Sequence, residues 1–458
     1  MSVASKGAPV SQLMISISGV RGVIGEGLTP EIVISFAQAF GTYCNAGRVV
    51  VGRDSRVSGP MLHGLVTASL LATGCEVVDL GIAPTPTTQL ATEKQHSAGG
   101  IILTASHNPV MWNGLKLLAH DGLFLDDVEG AKVNALRASA AFARKTWDQL
   151  GRLTSYSNAV ADHLQAVLSL PEVNVEQIRR RRFKVVADCV NGAGGVILPQ
   201  LLEQLGCEAV YLNLEPHGRF PRNPEPMPEN LAQLGRAVVA HHADLGLAVD
   251  PDADRLALVS EKGAPLGEEY TLALVVDFIL RRKRGKVVAN VSTSRVLDDL
   301  AAKYGCEIER TKVGEINVAK RMREVAAVIG GEGNGGVILP EVHLGRDAMV
   351  GVALLLQHLT DAGMPLSELN RTLPQYTMCR KKLELPDKQK AAGVLQRLEE
   401  VYGHEQIDRL DGIKILRDRS WVQVRASNTE PILRVMSEAQ TPEAAEQLCD
   451  EILKVLAN

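Results

Sequence analysis

A chain of 458 residues is long enough for about three domains at roughly 150 residues each, with room for four. Apolar residues at 45% and charged residues at 22% form the usual globular mix, which excludes disorder and collagen-like architecture. Lysine and arginine number 49 against 53 aspartate and glutamate, leaving −4, and aromatics make up only 4%, which speaks against a nucleic-acid binder built on bulk positive charge and base-stacking platforms.

Residues 1–19 contain no continuous apolar stretch followed by a small-residue cleavage pattern, so no secretory signal is expected. No run of 18 apolar residues occurs, the best stretch (272–280) being broken by Asp277, so no membrane contact is expected. The seven cysteines, at 44, 75, 189, 207, 306, 379 and 449, never adopt CxxC spacing. Neither a structural zinc site nor a disulfide framework is expected, and a soluble, cytoplasmic protein fits best.

Gly-Cys-Glu recurs at 74–76, 206–208 and 305–307. Each copy ends an amphipathic stretch with helical spacing (61–73, 197–205, 296–304), where glycine suits a left-handed cap. A β-branched run lies upstream of each, at 48–52, 183–187 and 286–289, and a further apolar run lies downstream, at 100–103, 245–249 and 326–330. The pattern predicts three related α/β domains with sheets covered on both faces. Beyond about residue 370 it changes to strand, helix, strand, strand, strand, helix, a smaller α+β domain. The expected boundaries are 1–155, 156–260, 261–370 and 371–458. The proline-rich piece 216–228 reads as a rigid loop inside the second unit. The basic runs 179–182 and 281–284 close helices, where cations complement the helix dipole.

Ligands of open α/β sheets bind beyond the carboxyl ends of strands, so the loops after the third strand of each unit are the candidates. In the first, Thr104-Ala-Ser-His-Asn-Pro109 offers a hydroxyl nucleophile, Ser106. A plain turn closed by Asn-Pro is the alternative. No nucleophile elbow accompanies Ser106, and His107, adjacent in sequence, is placed awkwardly to activate it. In the second, Asp250, Asp252 and Asp254 at i, i+2 and i+4 put three carboxylates on one side of an extended segment, a cage for a hard divalent cation such as Mg²⁺. A solvated acidic turn is the alternative. An EF-hand is excluded by Arg255 at its sixth position. Serine with such a cage suggests phosphoryl transfer. In the third, Gly331-Glu-Gly-Asn-Gly-Gly336 matches GxGxxG, yet a strand rather than a helix should follow, so a dinucleotide site is not expected. Glu332 and Asn334 suit sugar hydroxyls better, with a tight turn as the alternative. In the C-terminal unit, Arg425-Ala-Ser-Asn-Thr429 concentrates phosphate-binding groups, unless it is merely a polar hairpin loop.

These four loops, in this order and at these intervals, resemble those of the α-D-phosphohexomutase family, whose members move a phosphoryl group between O1 and O6 of a hexose. The resemblance covers nearly the whole chain and extends to Ser18-Gly-Val-Arg-Gly22, Val51-Gly-Arg-Asp-Ser-Arg56, Trp112-Asn-Gly-Leu-Lys116 and Gly218-Arg-Phe-Pro221. It implies four domains around a central cleft, a covalent phosphate on Ser106, Mg²⁺ held by Ser106, Asp250, Asp252 and Asp254, and hexose 1,6-bisphosphate as intermediate and activator. It further implies Arg21, Arg255, Glu332, Asn334, Arg425, Ser427, Asn428 and Thr429 as substrate-binding residues. His107, Lys116 and Lys312 complete the catalytic set, the two lysines as candidates for proton transfer. The implied partner is a small phosphosugar, with neither nucleic acid nor membrane. The sequence leaves the oligomeric state undetermined.

Two departures bear on the substrate. Some relatives end the sugar loop Ser-Gly-His, where this chain has Asn334, Gly335 and Gly336; a role for that histidine is absent or filled by another group. The phosphate loop has Ala426 and Asn428 where many glucosamine-specific bacterial relatives have Pro and Gly. The motifs around Arg21, Lys116 and Glu332 nonetheless resemble the branch assigned as phosphoglucosamine mutases, with phosphomannomutase/phosphoglucomutase as the alternative. A Mg²⁺-dependent sugar phosphatase and a non-catalytic sugar-phosphate binder are the rivals from other classes.

Overall fold

The structure, a computed structural model, describes residues 13–16, 18–385, 390–426 and 432–457. Four sheets follow one another along the chain. The three units expected from the repeat share one strand plan. In the second, Lys184–Asp188 pairs in parallel with Glu208–Leu212 on one side and Leu245–Val249 on the other, and Leu256–Ser260 returns antiparallel beside the latter. The third unit repeats this with Val287–Asn290 between Ile308–Thr311 and Ile329–Glu332, and Gly336–Ile338 returning. The first has Arg48–Arg53 between Glu76–Ile82 and Gly99–Leu103, with Trp112–Leu118 returning. It adds Met14–Ser16 and Gly19–Val23 at one edge and Leu153–Ser155 at the other, giving seven strands.

The strands on the sheet axes are buried on both faces, as uninterrupted apolar runs require. Gly74, Gly206 and Gly305 all have positive φ, of 86°, 68° and 63°, so each Gly-Cys-Glu ends its helix in the left-handed conformation and turns the chain toward the next strand. One boundary differs from expectation. The strand predicted at 326–330 runs instead over Ile329–Glu332, because Ala326 is the left-handed cap (φ 49°) of helix Glu315–Val325. Glu332 therefore sits at the end of a strand, and the loop that follows is only residues 333–335.

The C-terminal unit is an antiparallel five-stranded sheet, in the order Thr377–Glu384, Ile432–Ala439, Ser420–Ala426, Ile413–Arg417, Gln406–Asp408. Helices Lys390–Tyr402 and Pro442–Ala457 accompany it. It contains one short strand, Gln406–Asp408, more than expected. Buried polar side chains dock it on the third unit: Lys414 Nζ donates to Val291 O at 2.6 Å, Ser292 Oγ to Gln423 Oε1 at 2.6 Å, and Ser294 Oγ to Glu438. All seven cysteines are free thiols. No helix among the described residues is long and apolar enough to cross a membrane.

Candidate active site

In each α/β unit the third and fourth strands form a hairpin, and the three hairpin loops meet. Leu103 pairs with Leu115, Val249 with Leu256, and Glu332 with Gly336, so each loop leaves its sheet at the carboxyl end of a parallel strand. Between them and the fourth unit lies a cavity of about 700 Å³, lined by Arg21, His107 and Lys116, by Glu225 and Arg255, by Glu315, Glu332, Asn334 and Arg346, and by Arg380, Arg425 and Arg434.

Ser106 is almost fully buried and adopts a left-handed backbone (φ 49°), a conformation that costs an L-residue roughly 1–2 kcal/mol. Its surroundings enforce it. Arg56, wholly buried, donates from Nη2 to the carbonyls of Ser106 and Asn108 at 2.6 Å each, and from Nη1 to those of Pro109 at 2.7 Å and Trp112 at 2.8 Å. Its Nε bonds Asp54 Oδ2 at 3.0 Å, and that oxygen also accepts Thr104 Oγ1, whose own oxygen accepts the Ser106 N–H. The resulting turn aims Ser106 Oγ at Asp250 Oδ2, 3.1 Å away. It also brings His107 Nδ1 to 3.2 Å from the same Oγ. The expectation that sequence adjacency holds the imidazole away from Ser106 is thereby corrected, since the left-handed turn folds the two side chains together. Burial, with Arg255 and Arg21 nearby, holds the His107 imidazole well below its usual range, in the neutral form.

Asp250, Asp252 and Asp254 are fully buried, with carboxylate oxygens within 4.8 Å of one another. Their neighbours come from other units. Lys116 Nζ donates to Asp252 Oδ2 at 2.7 Å and lies 3.7 Å from Asp254 Oδ2; Thr85 Oγ1 donates to Asp252 Oδ2 at 2.7 Å. Arg346 Nη2 donates to Asp254 Oδ2 at 2.7 Å. Burial and the two neighbouring carboxylates push the Asp250 carboxyl well up. Asp252 moves the other way: burial opposes it, but Lys116 and hydrogen bonds from Asp250, Lys116 and Thr85 bring it down. Asp252 Oδ1 and Asp254 Oδ1 are buried without a hydrogen-bond partner among the described residues. Hard oxygen donors, crowded like charges and orphaned oxygens fit a divalent cation.

The third loop is equally fixed. Glu332 Oε1 accepts from Asn290 Nδ2 at 2.8 Å and from the Gly314 N–H at 3.1 Å, and Oε2 from Arg346 Nη1 at 2.8 Å. Burial opposes ionisation, yet Arg346 and these donors hold the Glu332 carboxylate below its usual range. Asn334 lines the cavity, its Oδ1 buried and without a hydrogen-bond partner among the described residues. A strand, not a helix, follows the GxGxxG run.

Arg255 donates from Nη1 to Glu225 Oε1 at 3.2 Å, an oxygen that also lies 3.8 Å from His107 Nε2. Arg21 and Arg425 both line the cavity, the Arg425 guanidinium held down by burial. Ser427, Asn428 and Thr429 lie outside the described residues. Lys312 is exposed and is not part of the cavity lining. Sequence reasoning missed Glu225, Glu315, Arg346, Arg380 and Arg434. The strand-end rule could have found Glu315, which opens a helix four residues after Thr311. Glu225 lies in the segment read only as a rigid loop.

Four family profiles match successive stretches of the chain: phosphoglucomutase/phosphomannomutase α/β/α domains I (14–144), II (161–263) and III (267–376), and the C-terminal domain (381–455). A phosphoglucomutase/phosphomannomutase of Thermococcus kodakarensis is 43% identical over 446 residues, 96% of this chain and 97% of that protein. A probable phosphoglucosamine mutase of Methanopyrus kandleri is 39% identical over 444 residues, 96% of each. Among solved structures, a phosphoglucomutase/phosphomannomutase family protein of Burkholderia thailandensis superposes with a TM-score of 0.84 at 28% identity, covering 97% of this chain and 98% of that one.

Proposed function

The chain belongs to the phosphoglucomutase/phosphomannomutase family of mutases and is an isomerase, and on that premise we propose that it interconverts hexose 6-phosphate and hexose 1-phosphate through a phosphoryl group carried on Ser106. The observation that carries the reading is Ser106 Oγ, held 3.1 Å from one member of a buried carboxylate triad beside a cavity lined with cations. Mg²⁺ bound by Asp250, Asp252 and Asp254, with Ser106, would neutralise charge on the moving phosphoryl group.

In the forward half-reaction the Ser106 Oγ–P bond breaks and a P–O bond forms to the free hydroxyl of the bound sugar, giving hexose 1,6-bisphosphate. The hydroxyl proton passes to a base in the cavity. In the second half the other phosphoryl returns to Ser106, and the proton returns to the sugar oxygen. His107 and Lys116 are within reach of this chemistry; Lys312, exposed outside the lining, is not assigned a part. His107 Nδ1, 3.2 Å from Ser106 Oγ, lies within reach of a proton on the reacting oxygen. Lys116 supplies positive charge beside Asp252, and Arg21 and Arg255 face the same space. Glu332 and Asn334 hold sugar hydroxyls, and Arg425, with Ser427, Asn428 and Thr429, grips the phosphate that is not being transferred. Added hexose 1,6-bisphosphate would charge an unphosphorylated Ser106. A cytoplasmic setting accords with seven free thiols.

Glucosamine phosphate is the substrate favoured by the motif pattern. The 43% identical relative, named phosphoglucomutase/phosphomannomutase, supports mannose and glucose phosphates as the second reading. Phosphorus NMR with Mg²⁺, a trace of hexose 1,6-bisphosphate and glucosamine-, mannose- or glucose-6-phosphate in separate tubes tests both. A new anomeric 1-phosphate signal is expected, fastest with glucosamine, and absent from Ser106→Ala protein of unchanged thermal midpoint. Free phosphate alone would make the protein a phosphatase.

A further inference from the structure

Arg346 stands outside all four motif loops, yet its guanidinium ties two of them together. Nη2 bonds Asp254 Oδ2 at 2.7 Å, Nη1 bonds Glu332 Oε2 at 2.8 Å, and Nε bonds Glu315 Oε2 at 2.9 Å. The backbone that delivers it is pinned. Neighbouring Asp347 caps helix Ala348–Ala362 through Oδ1, and its Oδ2 meets His163 Nε2 at 2.6 Å and His343 Nε2 at 3.1 Å. The other ring nitrogens are taken by Thr87 Oγ1 at 2.8 Å and the Gly345 N–H at 3.1 Å. This buried His-His-Asp group is saturated by protein partners, so it reads as an anchor rather than a second metal site.

Space is made for the arginine at one position. A Cβ on Gly336 would lie 2.2 Å from Arg346 Cδ, so any larger residue there would displace the side chain. The consequence falls on Glu332. A carboxylate oxygen accepts about two hydrogen bonds. Among the described residues, Oε1 already has two donors and Oε2 has Arg346 alone, which leaves one acceptor position on Oε2 beside the cavity.

We propose that Arg346 is a positioning residue that locks the sugar-loop carboxylate of Glu332 to the Asp254 side of the triad, presenting a single acceptor to a sugar hydroxyl, and that Gly336 exists to admit it. This rests on the phosphosugar mutase reading. The experiment is a double-mutant cycle of Arg346→Gln and Gly336→Ala, with KM for the hexose phosphate and Mn²⁺ binding to the sugar-free protein by electron paramagnetic resonance as separate readouts. Each single variant should raise KM at least tenfold, and the double should be no worse than Arg346→Gln alone. Mn²⁺ binding should persist or tighten in Arg346→Gln, because a positive charge leaves the vicinity of Asp254. Arg346→Lys keeps the charge but lacks the planar fork, so it should retain Mn²⁺ binding near the wild-type level with KM still raised; it replaces Arg346→Gln should that variant not fold. Unchanged KM in the single variants, multiplying losses in the double, or loss of Mn²⁺ binding would overturn the proposal. A wild-type protein without mutase activity on any hexose phosphate would overturn the functional reading instead.

Discussion

The Ser106 loop and the Asp250–Asp254 loop occupy equivalent places in two related sheets but are held in opposite ways. The serine loop is fixed from within its own unit, by the Asp54–Arg56 pair and four carbonyls bonded to one guanidinium. The carboxylate loop is fixed from outside, by Lys116 and Thr85 of the first unit and Arg346 of the third. The Ser106 turn thus draws its backbone-fixing hydrogen bonds from its own domain, whereas the carboxylates draw theirs from two neighbouring domains.

Arg56→Met is the largest way to break this contrast. It leaves Asp54 buried without its cation, a loss of about 3–5 kcal/mol for a broken buried pair. Chemical denaturation should detect that loss, and activity should fall with it. Wild-type stability in this variant would show that the loop does not depend on Arg56. Gly218→Ala should act less strongly. Gly218 has φ 72°, and a Cβ there would lie 2.1 Å from Ser55 O, so the proline-rich loop of the second unit would be pushed off the residues that back Arg56. A cost of roughly 1–3 kcal/mol is expected, with mutase activity reduced but present.

The smallest effect concerns a third kind of attachment, the fourth unit on the third. Burial, with Arg310 nearby, pushes the Lys414 ammonium down to about 7, while in the unfolded chain it titrates near about 10.4. Between about pH 7 and 10 the unfolded state therefore binds more protons, and this group's contribution to stability rises with pH. The thermal midpoint of wild type relative to Lys414→Met should climb over that interval. A pH-independent difference would mean that Lys414 is charged in the folded protein.

Ser106, the three aspartates and Glu332 were legible in the sequence because a repeated strand pattern identifies the strand ends where ligands bind. The GxGxxG run could be set aside because Val337 and Ile338 continue a strand. What the sequence hid was whatever depends on chains crossing between units. Nothing local marks Arg346 as reaching Asp254, 92 residues away in sequence, or Glu225 as closing on Arg255. Backbone handedness was hidden too, since the 49° φ of Ser106 decides whether His107 reaches Oγ. Lys312 shows the converse, a cation at a strand end that stays exposed.

The most direct measurement of whether Ser106 carries the phosphoryl group is mass spectrometry of the peptide containing it. The protein would first be incubated with hexose 1,6-bisphosphate and Mg²⁺, then with an excess of hexose 6-phosphate. One added phosphate on Ser106 that is discharged to the sugar is the predicted result. A protein that turns over hexose phosphates while Ser106 stays unmodified, or whose label lies elsewhere, would contradict it.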